Sequence, residues 1–469
     1  MPKRNLIWVS AILAVAIVTA WVVHEPLPLP PQELEQDGFH CIIETDQFLR
    51  ENCYHTVEAE ALYRAAARGM VTAVDEFSSY VPPEKVEAFQ KRMEGLVCAT
   101  GLIVEVRSGR LMVQDVLVGS PAWRAGIAPG DEIVSIDGRL AGEISSADVE
   151  NLLSAAQPGS CVALELARVG GKVRPITLRC EEFALETIEG ICRDPLGQPV
   201  YQLTPAGDVA YVRVCEFVPN TPEHLAVALR QLPNSCGLIL DLRGNPGGQF
   251  SSAVAVADMF LSEGLIATVA GRTGPPERYS AGAEGTYLPE APLAVLIDGA
   301  SASGAEIVAG ALKLHGRALL IGTRTRGKPY LQSMLQLPEG LGQVNLTTAE
   351  IFLGSAIPLA RKPGRQQWGI TPHKQVVLPT DRVLQIRRLH NRGAVGQAQA
   401  TTLPRGQGGY SGAAERVESI LALDLQLAEA VRLLCRPETF RAILSEYTRR
   451  AASPDRIAED ERTDEHTGH

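Results

Sequence analysis

Basic charge is what this sequence has too little of. Its 44 lysines and arginines are outnumbered by 54 aspartates and glutamates, for a formal net charge of −10. Nonspecific nucleic-acid binding needs a cationic surface that displaces counterions. No basic stripe with interleaved aromatics occurs, so nucleic acid is excluded as a partner. Metal-ligand spacing is also missing: the nine cysteines include no CxxC pair and no zinc-type arrangement. No cysteine stands in a pattern that would give it a histidine partner, which argues against thiolate catalysis. Gly299-Ala300-Ser301-Ala302-Ser303 is not G-x-S-x-G. His224, His315 and His373 stand singly, so Ser-His-Asp chemistry has no support. Gly322 to Lys328 does fit the start of a phosphate-binding loop, G-x-x-x-x-G-K. The next residue is Pro329, which removes the metal-binding hydroxyl and spoils a helix start that would offer N–H donors.

What remains is an ordinary globular composition. The chain has 469 residues, 45% hydrophobic and 21% charged, enough for two or three domains with sizeable cores. Lys3 and Arg4 precede an uncharged run from Leu6 to Val23, long enough to span a bilayer as a helix. Positive charge ahead of it favours a cytoplasmic N-terminus and a body outside. Val18-Thr19-Ala20 is an acceptable cleavage site, so anchor and removed signal both stand. A proline-rich spacer closes this segment, residues 1–32. An extracytoplasmic body permits disulfides; Cys41–Cys53 and Cys180–Cys192 are candidates by proximity. Cys98, Cys161, Cys215 and Cys236 lie in apolar, strand-like runs and suit small buried hydrophobes.

Residues 33–94 read as a helical module. Apolar residues recur at three and four spacings through Val57 to Ala67, and Pro82-Pro83-Glu84 opens a further helix that stops at Gly95. From 95 to 180 the pattern turns to short β-like runs, with an amphipathic helix over Ser146 to Ala156. From 181 to 380 strands alternate with helices. Gly237 to Leu242 is a continuous apolar strand, and Thr221 is placed as the cap of a helix with Pro222 first inside it. After Leu331 the alternation suits antiparallel sheet, so a mixed core is expected. Residues 381–452 hold a polar linker and C-terminal helices; 453–469 are charged and read as disordered.

Two resemblances follow from particular residues. Gly119-Ser120-Pro121-Ala122, Ala125-Gly126-Ile127 and Gly130-Asp131-Glu132-Ile133-Val134-Ser135-Ile136-Asp137-Gly138 resemble a PDZ domain. That resemblance implies capture of a peptide's C-terminus at a sheet edge, with Thr100-Gly101-Leu102-Ile103 in the position of the carboxylate loop. Glycine there lets backbone come close. Leu240-Asp241-Leu242-Arg243-Gly244-Asn245-Pro246-Gly247-Gly248, Ser301-Ala302-Ser303 with Glu306, Gly327-Lys328, and Gln332 resemble the tail-specific, or C-terminal-processing, serine peptidases. PDZ followed by this core is that family's domain order.

The resemblance implies an α+β multidomain protein. It would have a helical N-terminal module, a PDZ β-domain, a mixed α/β core of the ClpP/crotonase kind, and a C-terminal helical segment. It implies a Ser–Lys pair and no metal or cofactor. The family interval of 25 residues before Lys328 falls on Ser303 and not on Ser301. Lys328 is then the general base, which must be neutral to accept a proton, a form that burial favours. Gln332 orients it; if the segment is a strand, Lys328, Tyr330 and Gln332 share a face. Oxyanion donors are expected from the Gly304 amide and from Gly247 or Gly248, a choice that spacing leaves open. Glu306 and Asp241 are weighed as paired carboxylates or metal ligands; the simpler reading has Glu306 favouring a helix start and Asp241 holding a turn.

The family pattern is broken at Gly304-Ala305, at Pro329 and at Arg326, where Ala-Ser, glycine and an aromatic are usual. The implied function is cleavage of proteins recognised by their C-termini outside the cytoplasm, at or near a membrane. The rival is an inactive PDZ-bearing scaffold on the same fold. The terminal helices are compatible with an oligomer as well as with packing inside one chain.

Overall fold

A computed structural model describes residues 32–390 and 411–451. Excepted within these spans are 108, 146–148, 150–151, 154–157, 169–171, 195–197, 204–207, 233–236, 283–285, 355–356, 362–367, 380, 384 and 387–388. The Leu6–Val23 run, most of the 384–410 linker and the 453–469 tail therefore lie outside the described residues. So does most of the helix expected over Ser146 to Ala156. Among the described residues no helix is long and apolar enough to cross a membrane.

The chain forms two compact units, dividing after Tyr80. The first contains α1 (Gln32–Asn52) and α2 (Ala59–Thr72). Each helix carries an i,i+4 ion pair, Arg50 to Asp46 at 2.9 Å and Arg64 to Glu60 at 2.7 Å. The second unit opens with α3 (Pro83–Met93), where Pro83 occupies the first turn, Glu84 meets the positive helix end, and Lys91 and Arg92 the negative one. Gly95, at φ 83°, ends it.

The PDZ domain follows as β2 (Leu102–Arg107), β3 (Arg110–Val116), β4 (Glu132–Ile136), β5 (Cys161–Ala167) and β6 (Val173–Arg179). They form one antiparallel sheet in that order. Burial alternates residue by residue along β5, placing Val162, Leu164 and Leu166 in the core with Ile133, Ile136, Val149 and Leu153. Between β3 and β4 the short helix α4 (Pro121–Arg124) is capped by Ser120, whose Oγ accepts the Trp123 N–H at 3.2 Å. The chain enters through β1 (Leu96–Ala99) and leaves through β7 (Glu181–Ala184), which pair antiparallel and form a two-stranded hinge.

The core that follows is mixed, as expected, and consists of two sheets. The first runs β8 (Ile188–Glu189), β9 (Val209–Val214), β10 (Gly237–Asp241), β13 (Leu293–Ile297), β14 (Leu319–Gly322), β17 (Lys374–Gln375), all parallel except β8. β10 and β13 are buried at every residue, as an apolar run covered on both faces requires. One face is covered by α5 (Thr221–Arg230), α6 (Phe250–Asp258), α7 (Gly304–Leu314) and the second sheet. The other is covered by α8 (Ser411–Leu423), α9 (Leu425–Leu434) and α10 (Pro437–Ala451). The second sheet is antiparallel, in the order β12 (Glu277–Ser280), β11 (Leu265–Gly271), β16 (Gln343–Leu353), β15 (Tyr330–Gln336).

Two local expectations are corrected. Thr221 is not the cap of α5: Asn220 holds that position. The Thr221 hydroxyl instead accepts from Val218 N at 2.9 Å and donates to Glu216 O at 3.1 Å, closing the preceding turn. All four cysteines proposed for disulfides are free: Cys41 and Cys53 are exposed, Cys180 and Cys192 buried.

Candidate active site

The site is built where β10, β13 and β14 end. After β10 the chain turns through Arg243 to Gly248; after β13 it turns through Asp298 into α7; after β14 it runs as an irregular loop to Lys328. Three short polar side chains staple these turns together. Asp298 Oδ1 accepts the N–H groups of Gly244, Ala300 and Ser301, each at 3.0 Å. Ser301 is fully buried, and its Oγ donates to Leu242 O at 2.8 Å. Asn245 donates through Nδ2 to Val214 O at 2.8 Å, accepts Gly247 N–H at 2.8 Å, and takes Ala302 N–H on its carbonyl at 3.0 Å. Ser301 is therefore committed to the scaffold.

Ser303 stands at the start of α7 with φ 52° and ψ −113°. A non-glycine residue held at positive φ is strained, and such strain persists only where surroundings enforce it. Here the enforcing group is Glu306, fully buried one turn into the helix. Its Oε2 accepts Ser303 N–H at 2.9 Å and Lys328 N–H at 2.9 Å. Its Oε1 accepts Gly327 N–H at 2.7 Å and the Thr325 hydroxyl at 2.5 Å. Thr325 Oγ1 in turn accepts Ile370 N–H at 2.6 Å. Burial pushes the Glu306 carboxyl up; the Thr325 hydroxyl and the three amides work against that. One carboxylate oxygen thus holds the backbones of two residues 25 positions apart. From sequence Glu306 favours a helix start; its grip on the later loop carries no local signal.

Lys328 is half-buried, and its Nζ donates to Gln332 Oε1 at 3.3 Å. Lys328 lies two residues before β15, and the register shift opposite Leu331 and Gln332 falls in β16, where Thr348 is the extra residue. Pro329 is buried between Lys328 and β15, its carbonyl accepting Ile351 N–H at 2.7 Å, which seats the lysine beside β16. Arg326 is exposed, and its N–H bonds Ser301 O at 3.0 Å.

The glycines of the turn differ in use. A Cβ on Gly247 would lie 2.7 Å from Ser303 Cβ, so this turn abuts the serine. Gly247 spends its N–H on Asn245. A Cβ on Gly248 would lie 2.1 Å from Phe217 O, to whose strand-like segment the turn is bridged. On Gly304 it would meet the Phe217 ring at 2.9 Å and Ala253 at 3.0 Å, which explains glycine at that position in this chain. Asp241 does hold its turn. Its Oδ1 accepts Arg243 N–H at 2.9 Å and its Oδ2 the Tyr211 hydroxyl at 2.7 Å. Burial opposes its charge, but Arg243, Arg213 and Tyr211 outweigh it and leave the carboxyl below the ordinary aspartate range. With their oxygens saturated by donors, Asp241 and Glu306 do not form an acid–base pair.

In the PDZ domain Thr100 is fully buried and donates to Leu153 O at 3.1 Å; its carbonyl accepts Ala122 N–H at 2.9 Å. Gly101 sits at φ 85°, and what it admits close is the Ser120 side chain, whose Cβ would lie 2.0 Å from an added Cβ. Leu102 is buried; Ile103 is 39% exposed. Ile103 also lines a cavity of about 240 Å³ between the PDZ domain and the core, with Asp115, Glu189, Arg213, Gly244 and Pro246. The expected peptide strand and the Arg243–Gly248 turn thus open onto a common space.

A family model described as Peptidase family S41 matches residues 208–376, and a PDZ domain model matches residues 112–168. The carboxy-terminal-processing protease of Bartonella bacilliformis is 31% identical over 327 residues, covering 68% of this chain and 70% of that protein. The carboxyl-terminal-processing protease of a Synechocystis species is 32% identical over 287 residues, covering 60% of this chain and 65% of that protein. The chloroplastic C-terminal processing peptidase of Tetradesmus obliquus is 30% identical, covering 68% and 69%. The solved photosystem II D1 C-terminal processing protease aligns over 76% of this chain and 97% of its own, with 24% identity and a TM-score of 0.45.

Proposed function

This chain belongs to peptidase family S41, with its carboxy-terminal-processing proteases, and from that premise we propose that it cleaves peptide bonds with Ser303 as nucleophile and Lys328 as general base. The observation that carries the reading is the Glu306 carboxylate, which binds both residues' backbones through a single oxygen. In the proposed step neutral Lys328 Nζ takes the Ser303 Oγ proton as the oxygen attacks the scissile carbonyl. The tetrahedral intermediate collapses to an acyl-enzyme, and Lys328 returns the proton to the leaving amine. Lys328 then takes a proton from water as the water attacks the ester, and returns it to Ser303 Oγ as the acyl C–O bond breaks. Gln332 holds Nζ in line. With the Gly247 N–H spent on Asn245, the Gly248 and Gly304 amides are the oxyanion donors this reading assigns.

Protein or peptide substrates follow from a protease that carries a PDZ domain. Recognition of their C-termini at Thr100–Ile103 is part of the proposal, as is a body outside the cytoplasm behind the Leu6–Val23 segment. The test is hydrolysis of an unfolded protein with an apolar C-terminus by wild type, Ser303→Ala and Lys328→Ala. Each variant is expected to lose at least about a thousandfold in kcat. Equal activity in all three would remove the assignment and leave a peptide-binding scaffold. Adding an acidic tag to the substrate's C-terminus is expected to raise KM; an unchanged KM would remove the PDZ role.

A further inference from the structure

The fold assembles a cationic cluster that no single run of the sequence contains. Residues 322–330 and 359–370 together hold six lysines and arginines and no aspartate or glutamate, in a chain of net charge −10. The two segments lie against each other along the catalytic loop. Thr325 N–H donates to Ile370 O at 3.1 Å, and Arg361 N–H donates to Gly327 O at 3.1 Å. Arg324 and Arg361 both lie over the Trp368 ring, at 4.3 and 5.3 Å from its centroid. Ring and arginine also pack on Gly327, where an added Cβ would lie 2.8 Å from Trp368 Cδ1 and 3.1 Å from Arg361 Cβ. Gly327 thus has Arg326 beside it in the chain and Arg361 across from it. Both arginines are exposed. Among the described residues neither of the two forms an ion pair. Like charges gathered in this way repel one another and attract an anion.

We propose that Arg326 and Arg361 hold an acidic side chain of the substrate close to the scissile bond, so that aspartate or glutamate there determines specificity. This rests on the Ser303–Lys328 reading above. Gly327 directly precedes the base of that reading, and Arg326 is two residues from it, at most about 7 Å of chain. A substrate residue a few places from the scissile bond therefore comes within reach of both guanidinium groups. A guanidinium can fork onto a carboxylate through two parallel N–H bonds, a geometry lysine does not match. Stacking on Trp368 already restrains Arg361, so less freedom is lost when it binds. The substrate's own C-terminus is assigned to the PDZ domain, which leaves an aspartate or glutamate side chain as the ligand. The aromatic residue usual at position 326 in the family carries no charge, so the preference belongs to this chain.

The test uses the full-length wild-type chain and a long fluorogenic peptide with a fixed apolar C-terminus. Glutamate and glutamine are compared at each of the four positions on either side of the scissile bond. The expected result is a gain of at least about fivefold in kcat/KM for glutamate over glutamine at one or two adjacent positions. Salt of about 0.5 M should shrink that gain, because exposed charges are screened. In Arg326→Gln, and separately in Arg361→Gln, the ratio should drop below about twofold. A ratio measured within one preparation does not depend on how much of a variant folds. Arg326→Glu should reverse the preference, so that lysine is favoured over glutamate at the same position. A flat wild-type profile, or a ratio that survives both glutamine substitutions, would overturn the proposal. Ser303→Ala separates the two readings. If that variant hydrolyses the glutamine peptides at the wild-type rate, the catalytic reading fails and this one falls with it. If hydrolysis depends on Ser303 and the wild-type profile is flat, only the acidic preference fails.

Discussion

Arg243 and Arg124 each grip carboxylates, and their surroundings give the same chemistry different consequences. Arg243 is 12% exposed; it holds Asp241, at 2% exposure, and Asp424, at 0%. Its Nη1 also reaches Gln426 at 2.9 Å, and Asp424 caps α9 by accepting Leu427 N–H at 3.0 Å. The turn before Gly247 is thereby tied to the C-terminal helices. Arg124 pairs with Glu181 at the PDZ hinge, each about half exposed, and Lys91 nearby reaches Glu182 at 2.9 Å. Exposed pairs are screened by salt and hold little energy, whereas breaking a buried pair strands a charge out of water. The Arg243–Gly248 turn is thus anchored by interactions too costly to lose, whereas the pairs beside β1 and β7 are exposed and add little.

That contrast can be broken most sharply at Glu306. Glu306→Gln would turn an NH2 toward donors that now meet a carboxylate oxygen, shifting Ser303 against Lys328. A fall in kcat of about a hundredfold with KM nearly unchanged is expected in steady-state assays. An unaltered kcat would show that the clamp does not position the pair.

Arg243→Ala should cost about 3–5 kcal/mol in denaturant unfolding, because Asp241 and Asp424 are left buried without their partner. A loss below about 1 kcal/mol would mean water enters and the network is no anchor.

Acid should act on the core before the hinge. His373 is half-buried, and its Nδ1 accepts Leu320 N–H at 3.0 Å. Burial, with Lys313 nearby, lowers its pKa from 6.5 to about 4. Its folded value lies below the unfolded one, so its stabilisation is complete above pH 6.5 and is lost as pH falls toward 4. The unfolding midpoint should drop through that window, and the drop should shrink in His373→Gln. The depressed Asp241 carboxyl follows the same sign at lower pH.

The smallest effect belongs to Arg124→Ala. Less than about 1 kcal/mol of global stability should be lost. Limited proteolysis at β1 and β7 should nevertheless quicken, as it should for wild type in high salt. No change in cleavage rate would place the hinge's strength in the β1–β7 ladder alone.

The sequence by itself determined the parts that local chemistry and spacing encode. The family resemblance, through its 25-residue interval, pointed to Ser303 rather than Ser301, and the Ser301 hydroxyl is bound to Leu242 O. Continuous apolar strands read as buried and are buried, since a strand covered on both faces has no solvent side to mark. Spacing also put Gln332 with Lys328, and Lys328 Nζ donates to Gln332 Oε1. Tertiary structure alone decided what long-range partners decide. Thr221 looked like a cap and serves the turn before it. At Gly101 the fold adds a second demand for glycine, the close Ser120 side chain. Glu306 looked like a helix-start acid; three of its four donors come from residues 325–328. A donor so far along the chain leaves no periodicity near its acceptor, so only folding could show that one carboxylate joins the two halves of the site.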